Sequence, residues 1–510
     1  MLQTEDGNFA KSSYWINYVL VTIIFILNFS ASPLVKWAIL GYVAFAYAIV
    51  LLEKFEHTFL IILSYCFLEG QARVVWEYHP FFRISFDLLV VLAICRGFLR
   101  TREFNIQSTL PKPMLFLIML HFVWYGLQFF NPASVSYFLP LAATKIYLYP
   151  FLFFVFLRHN PKAFSEKRLK DVTTLTMFFY LMEVVLSYIQ SIYRGSFMLK
   201  ISAYYSRPMK EFVFTDIFFR PFGTTHAAGG VAVFFFICAG MLFLRNKASR
   251  KVQFLTLISI IGATGALLLT QIRSAQVKFI ILVFASASAI IYHSDRPFRM
   301  MFKSLVGGFL ILGPLIWYLW GHQSTINAIV NFEMGMKRWE KVDSYETFKA
   351  RRAGPLQAYE IAKGRLQDFP FGLGPGMTAA GLILSGDPNK LNPLYDKNTF
   401  WGYDNLFLTL IVEFGYGAIF YISFILSIPI LLFSRLRTIP HKKQPFASRV
   451  VLIAAIHVTI IIMGNWGAIG ITYNPESFFF WLWAAIGLNV VDNTKAIENE
   501  CSSSIKPLIG

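Results

Sequence analysis

Residues 14–31 read YWINYVLVTIIFILNFSA. The stretch has no charged side chain and approaches the roughly 20 apolar residues that a helix needs to cross a bilayer core. It lacks the alternation of a β-barrel strand of about ten residues. It is long for a secretory signal peptide, and Phe29-Ser30-Ala31-Ser32 is a faint cleavage signal. It therefore reads as an uncleaved signal anchor.

Comparable runs follow near 33–52, 57–70, 84–100, 114–130, 138–157, 171–192, 226–244, 252–270, 274–292, 301–320, 403–433, 449–469 and 475–491. Together with the first they would use about 280 residues. That suits a 510-residue chain with 56% hydrophobic residues. Only 15% of residues are charged, which excludes a disordered chain and an ordinary soluble enzyme. The expected fold class is an all-α polytopic membrane protein of about 12–14 transmembrane helices with a large extracytoplasmic helical loop. The run at 57–70 is short enough to be re-entrant, and the run at 403–433 is long enough to tilt strongly or to begin as an extramembrane helix. The expected divisions are 1–320 (transmembrane, with a basic outer loop at 194–225), 321–402 (the large outer loop), 403–491 (transmembrane) and 492–510 (a cytoplasmic tail).

Lys and Arg in the loops set the orientation. Alternate loops carry Arg96, Arg100, Arg102 and Lys112, then Arg158, Lys162, Lys167, Arg168 and Lys170, then Arg245, Lys247, Arg250 and Lys251. Arg296, Arg299 and Lys303 follow, and then Arg435, Arg437, Lys442, Lys443 and Arg449. This side is expected to be cytoplasmic, with both termini on it. The net charge of +18 is then mostly a topology signal, and nucleic acid is not implied. Cys66, Cys95, Cys238 and Cys501 show neither metal-ligand spacing nor a disulfide framework.

Two outward loops break the charge rule. Residues 194–225 hold Arg194, Lys200, Arg207, Lys210 and Arg220 against Glu211 and Asp216. The 321–402 loop holds Lys337, Arg338, Lys341, Lys349, Arg351, Arg352, Lys363 and Arg365. A long loop translocates largely regardless of charge, but a short one does not, so the 194–225 cluster favours an anionic ligand. Spaced apolar residues over 334–367 predict two amphipathic helices, with Pro355 near a start or kink. The run Phe369-Pro370-Phe371-Gly372-Leu373-Gly374-Pro375-Gly376 permits no regular helix and must turn tightly.

Four constellations fall on this outward side. They are Arg220-Pro221-Phe222-Gly223-Thr224-Thr225-His226, the turn Leu269 to Ala275 around Arg273, Arg351-Arg352 with the glycine-rich turn, and Tyr403-Asp404-Asn405-Leu406 leading to Glu413-Phe414-Gly415-Tyr416-Gly417. Guanidinium groups grip phosphate oxygens bidentately and stay charged. Arginines at a membrane surface therefore suit a lipid diphosphate, whose charge they would stabilise as it leaves. Asp404 suits a general base for an incoming hydroxyl, and Asn405 could orient it. Trp339, Tyr345, Tyr395, Trp401 and Tyr403 offer flat faces for sugars. No metal-binding cluster accompanies them, which favours metal-independent chemistry without a cofactor. Each residue also has a plainer role. Arg273 can end a helix and snorkel, Asp404 can cap one, His226 can serve as a hydrogen-bonder, and aromatics can form an interfacial belt. Lys145 and Glu183 fall in mid-span, where ionisable groups are expensive, and read as an internal pair or as cavity lining.

The order of these motifs resembles the O-antigen ligase and Wzy-type polymerase superfamily. It matches an Arg and Gly-Thr step before a span (Arg220 to Thr225), a Thr-Gln-Ser-Arg-Gly-like outer turn (Thr270-Gln271-Ile272-Arg273-Ser274) and an Arg in the large loop (Arg351 or Arg352). The turn Pro370 to Gly376 and a final step into Glu413-Phe414-Gly415-Tyr416-Gly417 follow. The resemblance covers about residues 215–430. It implies a GT-C-type glycosyltransferase moving glycan from a polyprenyl diphosphate to an acceptor hydroxyl at the outer side of a bacterial inner membrane. By analogy Arg273 and Arg351 or Arg352 would hold the diphosphate, with Arg220 assisting. Trp401, Tyr403, Asn405 and His226 would lie on the sugar or acceptor side. The family's His-Asn step is Asp404-Asn405 here. Aspartate, with an ordinary pKa of about 3.9, is a weak base at neutral pH unless burial raises it. That departure tilts the expectation towards a polymerase, with a growing glycan as acceptor, membrane lipid around it and a chain-length regulator as a further partner. A ligase that attaches finished glycan to a lipid or protein is the alternative. A polysaccharide or lipid-linked sugar flippase is the third reading, and it would more often show inverted repeats or paired broken helices.

Overall fold

The polar backbone of an apolar segment in lipid must satisfy its own hydrogen bonds, and a helix does so within one segment. The computed structural model describes residues 2–30, 32–76, 79–100, 110–134, 138–192, 221, 223–225, 228–242, 250–270, 273–292, 355–377, 405–439, 444–465, 471 and 475–505. Every regular element among them is helical. The order is α1 (Leu2–Phe29), α2 (Val35–Leu52), α3 (Phe55–Val75), α4 (Pro80–Arg100), α5 (Lys112–Gln128), α6 (Phe138–Tyr147), α7 (Tyr149–His159) and α8 (Glu166–Ile192). It continues with α9 (Ala228–Leu242), α10 (Arg250–Thr270), α11 (Arg273–Tyr292), α12 (Pro355–Asp368) and α13 (Leu406–Phe414). The last three are α14 (Ala418–Leu436), α15 (Pro445–Gly464) and α16 (Glu476–Ile505). Among the described residues seven helical segments are long and apolar enough to cross a membrane, and four shorter apolar ones accompany them. The expected span at 301–320 lies outside the described residues.

The run at 57–70 is not a short or re-entrant element. It belongs to a 21-residue helix that is buried almost throughout. Its polar end, Glu69, Gln71 and Arg73, is absorbed by partners: Arg73 pairs with Glu69, and Gln71 exchanges hydrogen bonds with Asn28 of α1. The run at 403–433 is divided. The 31 residues from Leu406 to Leu436 would extend about 46 Å as one helix, longer than a bilayer core. A 3₁₀ turn at Gly415–Gly417 separates α13 from α14. The run at 138–157 is also interrupted, at Leu148, where Pro150 opens α7.

The core is centred on α16, where residues Phe478 to Ile486 are buried on every side. A helix buried all round belongs at the centre of a bundle. Trp481 packs on Phe151, Phe154 and Phe424 from α7 and α14. The α16 helix continues past the expected span into the tail as far as Ile505. There Asp492 accepts Arg158 and Arg435, and Asn489 also binds Arg158. Two of the basic-loop arginines thus tie helix ends together. Cys66, Cys95 and Cys238 carry free thiols.

Candidate functional site

Helices α15 and α10 finish, and α11, α13 and α16 begin, at one end of the bundle, the upper end. Val184 and Tyr188 of α8 face Gly262 and Gly265 of α10, so α8 also ends there.

Two of the sequence constellations meet at this end. A helix C-terminus leaves carbonyls without intrahelical partners. Those of α13 are taken by the glycine-rich turn, with Leu373 N–H donating to Val412 and Gly374 N–H to Glu413, both at 2.9 Å. The Glu413 side chain accepts Gly376 N–H at 3.0 Å, and Tyr416 N–H donates back to Pro370 at 2.9 Å. Trp124 Nε1 donates to the Phe414 carbonyl at 3.0 Å. From the end of α5, Gln128 and Asn131 donate to the carbonyls of Phe371 and Gly372, each at 2.9 Å. Gly372 has φ +80°, and a Cβ there would stand 2.3 Å from the Glu413 carbonyl. The approach is backbone to backbone, which is why glycine is required. Every N–H from Gly372 to Met377, Pro375 having none, is bonded within the protein. The turn is a clasp and offers no backbone cradle to a phosphate. The α12 helix begins at Pro355 and packs Ala362 against Leu408 and Val412.

The start of α13 is fixed separately. Asn405 has extended backbone and caps the helix, its Oδ1 accepting Leu408 N–H at 3.1 Å. Leu406 N–H donates to the carbonyl of Asn465, at the end of α15, at 2.9 Å. The cap is therefore Asn405, not Asp404. The expected tight turn near Arg273 joins α10 to α11: α10 ends at Thr270, and α11 starts at Arg273. Gln276 of α11 donates to the Leu267 carbonyl of α10 at 3.0 Å.

Glu183 is fully buried in α8 and holds the Gly-Thr step. Thr224 N–H donates to its carboxylate at 3.1 Å, and the Thr224 hydroxyl touches Oε1 while donating to the Phe67 carbonyl at 2.9 Å. Gln190, on the same helix, accepts Gly223 N–H at 3.0 Å and donates to its carbonyl at 3.2 Å. Irregular backbone is tolerated inside a bundle when it is satisfied in this way. Lys145 has a different partner, with its Nζ 2.5 Å from Asp87. Lys145 and Glu183, open in the sequence to an internal pair or to cavity lining, thus each have a partner of their own.

Of the sequence-predicted site residues, Asn405 is buried as a cap and Arg273 is the first residue of α11. The side chain of Arg273, and Arg220, His226, Arg351, Arg352, Trp401, Tyr403 and Asp404, lie outside the described residues. Sequence reasoning missed Glu183's bond to Thr224, the clasp role of Glu413, and the buried pair Lys278–Glu476 at 2.8 Å. The signal for the pair was available, since both residues are ionisable groups in apolar runs. Among the described residues no three His, Cys, Asp or Glu side chains group closely enough to hold a metal ion. No protein-family model matches the chain, and no curated protein matches it.

Proposed function

We propose that the protein is a surface-polysaccharide polymerase of a bacterial inner membrane, with its termini and basic loops cytoplasmic and its upper end extracytoplasmic. It transfers polyprenyl-diphosphate-linked oligosaccharide repeat units onto a growing glycan. The acceptor hydroxyl attacks the anomeric carbon, the bond to the diphosphate breaks, and polyprenyl diphosphate leaves. Asp404 takes the hydroxyl proton. Arg273, Arg220 and Arg351 or Arg352 hold the leaving diphosphate bidentately. Arg273 opens a helix, where a cation opposes the macrodipole and an anion relieves both.

The observation that carries this reading is the gathering of separate motifs at one end of the bundle. The glycine-rich turn is clasped by Glu413, and α13, whose cap follows Asp404, is tied to the end of α15. The test is the purified protein in vesicles with a polyprenyl-diphosphate-linked repeat unit. A ladder of longer glycans with release of polyprenyl diphosphate is the expected product. A single donor turnover onto a separate lipid acceptor would instead indicate the ligase.

One observation favours the flippase reading. The α6–α7 pair breaks at Leu148, about 15 Å along a ten-residue helix, and the Thr224 turn enters the bundle against a buried carboxylate. Interrupted helices and intramembrane carboxylates recur in transporters. Movement of intact labelled donor between leaflets, with no glycosidic bond made, would replace the polymerase reading.

A further inference from the structure

Lys278 lies on α11, five residues after Arg273, and its Nζ donates to Glu476 Oε1 at 2.8 Å. Both side chains are buried, and Glu476 is the first residue of α16. The Lys278 stem passes over Gly464 so closely that a Cβ there would stand 1.9 Å from Cε. Gly464 precedes Asn465, whose carbonyl holds Leu406 N–H at 2.9 Å, next to the Asn405 cap. Asn465 is itself fixed, its Nδ2 donating to Ile461 at 2.7 Å and its Oδ1 accepting Ile471 N–H at 3.1 Å.

We infer that Lys278 and Glu476 are positioning residues that set the spacing between Arg273 at the head of α11 and Asn405 at the head of α13. The inference rests on the transferase reading given above. The Lys278 stem against Gly464 and the hydrogen bond from Leu406 N–H to Asn465 connect the two heads, and Glu476 holds the Lys278 stem in place. Adhesion does not explain the pair. Ala275, Phe279 and Leu282 of α11, Val458 and Ile461 of α15, and Phe478 and Phe479 of α16 already belong to one apolar core. A buried ion pair is often no more stabilising than apolar residues of similar volume, because desolvation offsets the attraction. It is directional, however, and fixes one register of α11 against α16, the best-attested use of such a pair. In group transfer that register matters, since a misplacement of about 1 Å can lower the rate about 100-fold.

The test uses the full-length protein in vesicles and the glycan-ladder assay, with three variants beside the wild type. They are K278M/E476L, which replaces the pair with apolar groups, K278E/E476K, which reverses it, and R273A. Membrane insertion and thermal unfolding are measured with kcat and KM for the lipid donor. K278M/E476L is expected to insert and unfold as the wild type does, with kcat lowered about tenfold or more and KM nearly unchanged. K278E/E476K is expected to recover most of that kcat, and R273A to raise KM as well. Wild-type kcat in K278M/E476L overturns the inference and leaves the transferase reading standing. Failure of that variant to insert makes the pair a plain structural staple and also overturns it. A wild-type protein that makes no ladder overturns the transferase reading, and the inference with it.

Discussion

Glu413 grips the glycine-rich turn at two points, its Oε2 accepting Gly376 N–H at 3.0 Å and its carbonyl accepting that of Gly374 at 2.9 Å. One residue thereby joins the turn that follows α12 to the bend between α13 and α14. Gly372→Ala should break this clasp. It forces a Cβ into a left-handed backbone and onto the Glu413 carbonyl, at a cost of at least about 2 kcal/mol. Glu413→Ala leaves Gly376 N–H buried without an acceptor and should cost about 1–3 kcal/mol, whereas Glu413→Gln keeps one and should cost less. Thermal unfolding in detergent measures all three. Unchanged unfolding in Gly372→Ala would remove the clasp.

Asn405 and Asp404 should separate stability from turnover. Asn405→Ala removes the N-cap and should cost about 1 kcal/mol, and Asn405→Asp should retain it. Asp404→Asn should leave unfolding unchanged and lower kcat about 100-fold or more, the usual contribution of a general base. Full turnover in Asp404→Asn at saturating substrate would end its assignment as the base.

Glu183 and Thr224 should behave as one unit. Glu183→Ala leaves Thr224 N–H buried without its acceptor, at about 1–3 kcal/mol. Thr224→Val removes the hydroxyl that touches the carboxylate. A double-mutant cycle is expected to give a coupling of about 0.5–3 kcal/mol. Additive effects would mean that Glu183 and Thr224 hold the turn independently, through Gln190 and the Phe67 carbonyl as well.

Arg273 should not tolerate lysine. Arg273→Lys keeps the charge but loses the planar fork, so donor binding should weaken while insertion is unchanged. Equal KM for the two proteins would make Arg273 an interfacial anchor.

The helical class was legible because apolar length alone decides it, and Tyr14 to Ala31 already carries that signal. Where the sequence misled, polar residues were the cause. Glu69, Gln71 and Arg73 made α3 look short because their partners, Arg73 for Glu69 and Asn28 of α1 for Gln71, cannot be read from hydropathy. The Gly415–Gly417 bend was hidden inside an unbroken apolar run. The glycine-rich turn was legible as a turn, yet its partner was not, because Glu413 stands 37 residues beyond Gly376 and only the fold brings them together. Lys145 was singled out as a mid-span cation and lies half-buried beside Asp87, a partner that looked like one more residue of a span.

The central claim is that this chain joins lipid-linked repeat units. Deleting the gene in its native host, with the wild-type gene restored as control, and resolving the surface glycans on a gel tests it directly. The polymerase reading predicts that only lipid carrying a single repeat unit remains. Full-length polymer left on its polyprenyl carrier would contradict it and put the ligase in its place.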